Sequence, residues 1–283
     1  MTVSIESAIQ EGAEILREGA VNEARREAGS LLAHVLDRDR SFVIAHAGDS
    51  LADDQYQNFR RLISRRARGE PLQYITGHRE FFKLDFEVSP EVLIPRPETE
   101  LIVETALELC KDDPAPVIAD IGTGSGCIAI SVLHELRAAV AVATDISLAA
   151  LRVAQRNAER HRVHRRLTLI ESDCFAAVYV TKPFSLIASN PPYVSDDELE
   201  HVPREVGFEP RAALAGGADG LSVIKRLLNE ARPFIRSKGY LVFEIGFGQS
   251  EAVEKLIDRR IWKLLNIRKD LRGIPRTFVL QGK

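Results

Sequence analysis

Three patterns of apolar and polar residues divide the 283-residue chain. Near the start, apolar residues recur every three or four positions, so that Ile5, Ile9 and Leu16 share one face of a helix. The same spacing continues through a helix expected from about residue 51 to about residue 68. Residues 1–71 are therefore predicted to form a small helical domain.

The spacing of apolar residues changes after this domain. Residues 74–77 and 81–88 are rich in strand-forming side chains, and the intervening pair Gly77-His78 is typical of a turn. Residues 72–93 are therefore predicted to form a β-hairpin linker between two domains.

Residues 94–283 follow a third pattern, in which short apolar runs alternate with helical segments. Such alternation is typical of an α/β fold, with a mostly parallel sheet and helices on both faces. Parallel strands are predicted at residues 117–120, 140–144, 167–171, 185–189 and 240–245. Two last runs, 262–267 and 277–281, predict a terminal hairpin on the same sheet.

Composition limits the possible functions. The net charge of −3 is not that of a dedicated nucleic-acid binder. The three cysteines, Cys110, Cys127 and Cys174, are odd in number and form no Cys-x-x-Cys pair, which favours a reducing cytoplasm over a disulfide framework or a structural zinc site. The histidines lack metal-ligand spacing, so no metal is expected. A signal-peptide core and an apolar run of about 18 residues are both missing, so a cytoplasmic protein without a membrane partner is expected.

A glycine-rich segment follows the first predicted parallel strand. Gly122, Gly124 and Gly126 alternate with Thr123 and Ser125, and a helix is expected to begin directly afterwards. Glycines at such a strand-to-helix turn let the backbone bend sharply and approach a ligand closely. The pattern indicates either a nucleotide-like ligand or a tight turn alone.

Polar residues stand where the next parallel strands end. Asp145 ends the second strand and suits the hydroxyls of a ribose, although a cap for the helix starting near Ser147 is an equal alternative. Asp173 and Cys174 follow the third strand, where an adenine can be held. Since the carboxyl ends of parallel strands meet at one edge, these residues are expected to line one crevice.

The fourth strand is followed by Asn190-Pro191-Pro192-Tyr193. Two consecutive prolines stiffen the backbone and remove two N–H groups. Asn190 adds an amide and Tyr193 a flat ring, so the four residues predict a rigid cup for a planar group that carries an NH₂.

These motifs together resemble the S-adenosylmethionine-dependent amino methyltransferases. Residues 71–77, 93–100, 208–210 and 216–221 are similar, more narrowly, to the HemK/PrmC family. The resemblance implies a Rossmann-like class I methyltransferase sheet in residues 94–283. It also implies S-adenosyl-L-methionine as cofactor, with S-adenosyl-L-homocysteine as product. The activity implied is methylation of the N5 amide of the glutamine in the Gly-Gly-Gln motif of class 1 peptide chain release factors.

The resemblance also implies roles for single residues. It places the loop of residues 122–126 around the methionine part of the cofactor, Asp145 on the ribose, and Asp173 and Cys174 by the adenine. Asn190, which also borders the cofactor, would offer its side-chain oxygen to one amide hydrogen of the substrate. The Pro191 carbonyl would accept the other hydrogen, and Pro192 and Tyr193 would complete the cup, with Tyr193 against the amide plane.

The same residues are consistent with other functions. An adenine N6 amine of DNA or RNA fits the same cup once the base is flipped out. A ribosomal-protein glutamine is a second alternative, and a cofactor-binding regulatory module is a non-enzymatic one. The helical domain of residues 1–71 is expected to dock the substrate, with a purely stabilising role as the alternative. A stable complex with nucleic acid is not expected.

Overall fold

The computed structural model describes residues 3–179 and 182–283, which form two compact units. One unit contains the chain up to His78 together with residues 203–208, and the other contains residues 79–202 and 209–283. Residues 1 and 2 of the predicted helical domain and residues 180 and 181 of the predicted methyltransferase domain lie outside the described residues.

The first unit is helical. Its helices are α1 (Ile5–Glu18), α2 (Ala24–Leu36), α3 (Arg40–Ala45), α4 (Asp53–Ala67) and α5 (Leu72–Thr76). The side chain of Ser4 caps α1 and that of Asp39 caps α3, each by accepting a hydrogen bond from a backbone N–H of the first turn. The predicted apolar face of α1 is buried against α2 and α4 and forms the core of this unit. The predicted helical character of the N-terminal region is confirmed.

A buried arginine lies at the centre of this unit. The Arg66 side chain is only 3% exposed and forms ion pairs with Glu27 and Glu205. It also donates to the Glu70 carbonyl at 3.3 Å. Arg66 thereby ties residues 203–208 to the helices of the same unit.

The predicted hairpin exists, but its first strand and its turn were placed wrongly. Residues 74–76 belong to helix α5, which ends because Gly77 adopts the left-handed conformation. The hairpin pairs β1 (His78–Phe81) with β2 (Leu84–Glu87) and turns at Phe82 and Lys83, with φ of 49° and 61°. Turns of this kind favour glycine or asparagine, so neither Phe82 nor Lys83 indicates a turn at this position.

The second unit is built on a seven-stranded sheet. Its strands are β3 (Val117–Ile121), β4 (Val140–Asp145), β5 (Leu167–Glu171), β6 (Phe184–Ser189), β7 (Ile235–Glu244), β8 (Trp262–Lys269) and β9 (Pro275–Gly282). Their order is β5-β4-β3-β6-β7-β9-β8. Strands β3 to β7 all run parallel to one another, and β9 runs antiparallel to both β7 and β8. The predicted parallel sheet and terminal hairpin are thus confirmed.

Helices cover both faces of this sheet. The helices of this unit are α6 (Glu100–Cys110), α7 (Cys127–Glu135), α8 (Leu148–Arg160), α9 (Asp196–Leu199), α10 (Arg211–Leu214), α11 (Ser222–Glu230) and α12 (Ser250–Leu256). Of these, α6, α7, α8, α11 and α12 contribute buried residues to the cores on the two faces. Side chains alternate across the strands, so that Ile118 packs into the core under α6 and α7 whereas Ala119 packs into the core under α11 and α12. The chain order reverses between β3 and β6, and a crevice opens there at the carboxyl edge.

Within residues 3–179 and 182–283, every helix is too short or too polar to cross a membrane.

Candidate active site

The glycine loop leaves the end of β3 and enters α7. Its backbone is fastened to β4, because the N–H groups of Gly122 and Thr123 both donate to the Thr144 carbonyl, at 2.9 and 2.8 Å. Beneath it lies Asp120, whose carboxylate accepts from the Thr123 hydroxyl at 2.7 Å and from the Ala129 N–H at 3.2 Å. Burial raises the pKa of Asp120 to about 6. The loop is therefore held rigidly from below.

The glycines of this loop have two different uses. Gly122 and Gly124 have φ of 74° and 54°, and a methyl group added to either would meet only open space. Gly126 lies outside the cavity lining, and a methyl group there would come within 2.7 Å of Ile130. The first two leave room for a ligand above the backbone, whereas the third allows close packing beneath α7.

Asp145 lies at the end of β4, facing the loop. One carboxylate oxygen accepts from the Gly124 N–H and the other from the Ser147 N–H, both at 2.9 Å. The cap of α8 is Ser147 and not Asp145, because the Ser147 hydroxyl accepts from the Ala150 N–H. Burial raises the pKa of Asp145. Each carboxylate oxygen has a second lone pair, so Asp145 can still accept from a ligand hydroxyl.

The residues that follow β5 form the next part of the cavity wall. Asp173 forms an ion pair with Arg226 at 2.6 Å, which fixes the carboxylate. Cys174 has φ of 51°, and its carbonyl accepts from the Ser172 hydroxyl at 3.0 Å. Burial raises the pKa of the Cys174 thiol to about 11, so this side chain is a neutral, apolar surface.

The Asn-Pro-Pro-Tyr cup follows β6. The Asn190 amide group donates to the Thr99 hydroxyl at 2.9 Å. Within the described part of the chain, no N–H or O–H group donates to Asn190 Oδ1 or to the Pro191 carbonyl. The cup therefore presents two free acceptors.

A buried carboxylate supports the cup from behind. Glu244, at the end of β7, is 1% exposed. It accepts from the Thr99 hydroxyl at 2.7 Å and from the Tyr193 hydroxyl at 3.2 Å. Burial raises the pKa of Glu244 to about 7. Burial and Glu244 together raise the pKa of Tyr193, which keeps its proton.

Tyr193 is held on two sides. The resemblance implies that its ring lies against the substrate amide; in the structure its hydroxyl faces Glu244, and Tyr193 is not among the residues that line the cavity. The Tyr193 carbonyl accepts from the Gln249 side chain at 2.8 Å. These contacts fix the position of Tyr193 at the end of the cup.

Two further segments border the cavity and are held together by an ion pair. Glu209 is buried, pairs with Arg96 and accepts from the Ile94 N–H at 3.2 Å. The pair fastens residues 93–95 to the segment that begins at Pro210, and both border the crevice. The sequence did not indicate which acid pairs with Arg96, because Glu209 lies 113 positions away.

The walls enclose one cavity of about 330 Å³. Of the residues expected at a site, the lining contains Gly122, Thr123, Gly124, Ser125, Asp145, Asp173, Cys174, Asn190, Pro191 and Pro192. Ile146, 62% exposed, adds an apolar surface beside Asp145 that the sequence analysis missed. No group of three or more histidine, cysteine, aspartate or glutamate side chains in the described ranges could hold a metal ion.

Comparisons with known proteins point in one direction. Residues 7–77 match the family described as PrmC N-terminal domain, and residues 99–206 match the Methyltransferase small domain. The chain is 43% identical over 254 residues to the release factor glutamine methyltransferase of Moorella thermoacetica, covering 90% of this chain and 89% of that protein. It is 40% identical over 256 residues to the protein of the same name in Koribacter versatilis, covering 90% of each.

Solved structures share the fold at low sequence identity. The hMettl16 catalytic domain, in complex with MAT2A 3'UTR hairpin 1, matches with a TM-score of 0.60 at 15% identity. The match covers 89% of this chain and 90% of that chain. At this level of identity the likeness concerns the fold alone.

Proposed function

The chain belongs to the family of release factor glutamine methyltransferases, and from this premise we propose that it methylates the glutamine of the Gly-Gly-Gln motif in class 1 release factors. The methyl group is added to the N5 side-chain amide. The α/β unit has the Rossmann-like fold of class I methyltransferases.

S-adenosyl-L-methionine is the cofactor, and the crevice fits it. The open space above Gly122 and Gly124 admits the methionine part close to the backbone. The spare lone pairs of Asp145 suit a ribose diol, while Ile146 and Cys174 offer apolar surfaces to the adenine. When bound, the cofactor supplies a methyl group on a positively charged sulfur.

The orientation of Asn190 is the observation that carries the proposed substrate. Its NH₂ group is occupied by Thr99, so the oxygen is left for the cavity. Together with the Pro191 carbonyl it forms a pair of acceptors that receives no hydrogen bond from the residues that the structure describes. Such a pair can accept both hydrogens of a planar NH₂ group, whereas a hydroxyl has a hydrogen for only one of the acceptors and a carboxylate has none.

The same two acceptors support the chemistry. An amide nitrogen is a poor nucleophile, because its lone pair is delocalised into the carbonyl. Asn190 Oδ1 and the Pro191 carbonyl each accept one N–H, which fixes the direction of the nitrogen lone pair and offsets the positive charge that develops on nitrogen. Once the nitrogen is positively charged, one of its protons is lost to water.

The helical unit is proposed to dock the release factor. It has its own core, and none of its described residues lines the cavity, so its contacts can position a substrate without altering the chemistry. The proposed location is the cytoplasm, where release factors act, and the three buried free cysteines suit a reducing compartment. Neither a membrane nor a stable nucleic-acid complex is needed for this activity.

Labelled S-adenosyl-L-methionine tests the proposal. The enzyme is incubated side by side with a purified class 1 release factor, the same factor with its Gly-Gly-Gln glutamine replaced by alanine, a ribosomal protein fraction and DNA. Label is expected only in the intact release factor. Label in DNA, in ribosomal protein, or equally in both release factors would contradict the proposal.

A further inference from the structure

A chain of three hydrogen bonds links the cup to Glu244. Asn190 donates to Thr99, and Thr99 and Tyr193 donate to Glu244. A threonine hydroxyl has a single hydrogen, and an ionised carboxylate can only accept. With that hydrogen committed to Glu244, Thr99 can only accept from Asn190, so Asn190 must turn its NH₂ group towards Thr99.

We propose that Glu244 is a positioning residue whose ionised carboxylate, acting through Thr99, holds the Asn190 oxygen towards the substrate amide. The inference rests on the proposed function, since it concerns the acceptor that receives the glutamine amide. Glu244 does not touch the substrate. It determines whether the oxygen or the NH₂ group of Asn190 faces the substrate.

Protonation of Glu244 reverses the direction of the hydrogen bonds from Glu244 through Thr99 to Asn190. A neutral carboxyl has one O–H, and Thr99 can accept it. The Thr99 hydrogen then turns to Asn190, which must present Oδ1 to it. The NH₂ group of Asn190 now faces the cavity and opposes the NH₂ of the substrate, so the cup loses one of its two acceptors.

The groups around Glu244 make this change accessible near neutral pH. Burial and, to a smaller extent, the negative charge of Glu98 raise the pKa of Glu244, whereas Arg276 and the two hydroxyl donors lower it, and the pKa that results is about 7. Arg276 is itself paired with Asp270 at 3.0 Å. Glu244 also contributes slightly to the raised pKa of Cys127, and burial, the main cause, keeps that thiol protonated by raising its pKa to about 12.

Two isosteric variants test the relay, by which we mean the hydrogen-bonded series Glu244–Thr99–Asn190, separately from the Glu244 carboxylate itself. Thr99→Val removes the hydroxyl while nearly keeping the shape, so Glu244 still titrates but is disconnected from Asn190. Thr99→Ser restores the hydroxyl and is the matched control. Glu244→Gln keeps the shape and cannot ionise.

The first readout is the side-chain NH₂ signal of Asn190 in protein labelled with ¹⁵N-asparagine, followed without substrate from about pH 5.5 to about pH 8.5. The original protein and Thr99→Ser should show a transition near pH 7, and Thr99→Val and Glu244→Gln should show none. The second readout is kcat on the release factor. A fall in kcat towards acid pH, the acid limb of the pH profile, should appear in the same two proteins only. Thr99→Val should lose about fivefold to tenfold in kcat with an unchanged KM for cofactor, as expected for one hydrogen bond.

The two readouts distinguish the possible failures. An Asn190 signal that ignores pH in the original protein, or that titrates equally in Thr99→Val, would overturn the relay. Full kcat with an intact acid limb in Thr99→Val would also overturn it, while leaving the proposed substrate in place. A normal NMR transition together with no methylation of the release factor would support the relay and refute the proposed function.

Discussion

Ionisation of Glu244 in the folded protein is expected to lower stability as the pH rises, and Glu244→Gln should remove this effect. The pKa of the carboxyl rises from 4.5 to about 7 on folding. The folded state therefore binds more protons than the unfolded state between these values, and the free energy of unfolding falls as the pH rises through this window. A carboxylate with a lowered pKa would show the opposite sign.

The size of the effect follows from the same two values. At about pH 8 the ionised, buried carboxylate costs about 3 kcal/mol relative to the unfolded chain, and at about pH 5 the cost is about 1 kcal/mol. Glutamine carries no such cost at either pH. The difference in unfolding free energy between Glu244→Gln and the original protein should therefore shift by roughly 2–3 kcal/mol in favour of the variant between these two pH values.

Urea denaturation followed by tryptophan fluorescence measures this shift. Trp262 is the only tryptophan and is buried in the core beside the sheet that carries Glu244, so its emission reports on the relevant unit. Glu251→Gln, which removes an exposed carboxylate early in α12, controls for the loss of one negative charge. Parallel stability curves for Glu244→Gln and the original protein from acid to alkaline pH would refute the assignment of a buried, titrating carboxylate.

Three further changes test other parts of the site and fold. Asp145→Ala should weaken S-adenosyl-L-methionine binding by roughly 1–3 kcal/mol through loss of charge-assisted hydrogen bonds, and unchanged affinity by calorimetry would mean that Asp145 serves only the loop. Asn190→Ala should lower kcat by about 10²–10³, by analogy with one oxyanion-hole donor, while cofactor affinity stays within a few-fold; near-normal kcat would show that the amide is held elsewhere. Arg66→Ala should destabilise the helical unit by roughly 3 kcal/mol, because Glu27 and Glu205 lose their buried partner. If that unit docks the substrate, kcat/KM should also fall more on intact release factor than on a short Gly-Gly-Gln peptide, and equal losses would contradict docking.

The sheet and the crevice could be predicted from local patterns. Alternating apolar runs indicate parallel strands, and Gly122, Asp145 and Asn190 each directly follow or end such a run. Because the carboxyl ends of parallel strands meet at one edge, their convergence follows from topology without any knowledge of side-chain contacts. The structure places all three in one cavity lining.

Contacts between distant residues could not be predicted in this way. Glu244 lies in a strand that was expected, and an acid inside the run Leu241-Val242-Phe243-Glu244-Ile245 is itself a sign of a buried partner. The partners, Thr99 and Tyr193, lie 145 and 51 positions away, and periodicity gives no indication of such pairings. The turn at Phe82 and Lys83 was missed for a different reason, since tertiary packing imposes a left-handed backbone on residues that do not favour it.

The position of the transferred methyl group tests the central claim most directly. A class 1 release factor is treated with the enzyme and S-adenosyl-L-methionine, digested, and sequenced by tandem mass spectrometry, with Asn190→Ala enzyme as the matched control. We expect the mass of one methyl group on the side chain of the Gly-Gly-Gln glutamine with the original enzyme, and little or none with the variant. A methyl group on any other residue, or equal modification by both enzymes, would contradict the account of the cup as the site that holds the glutamine amide.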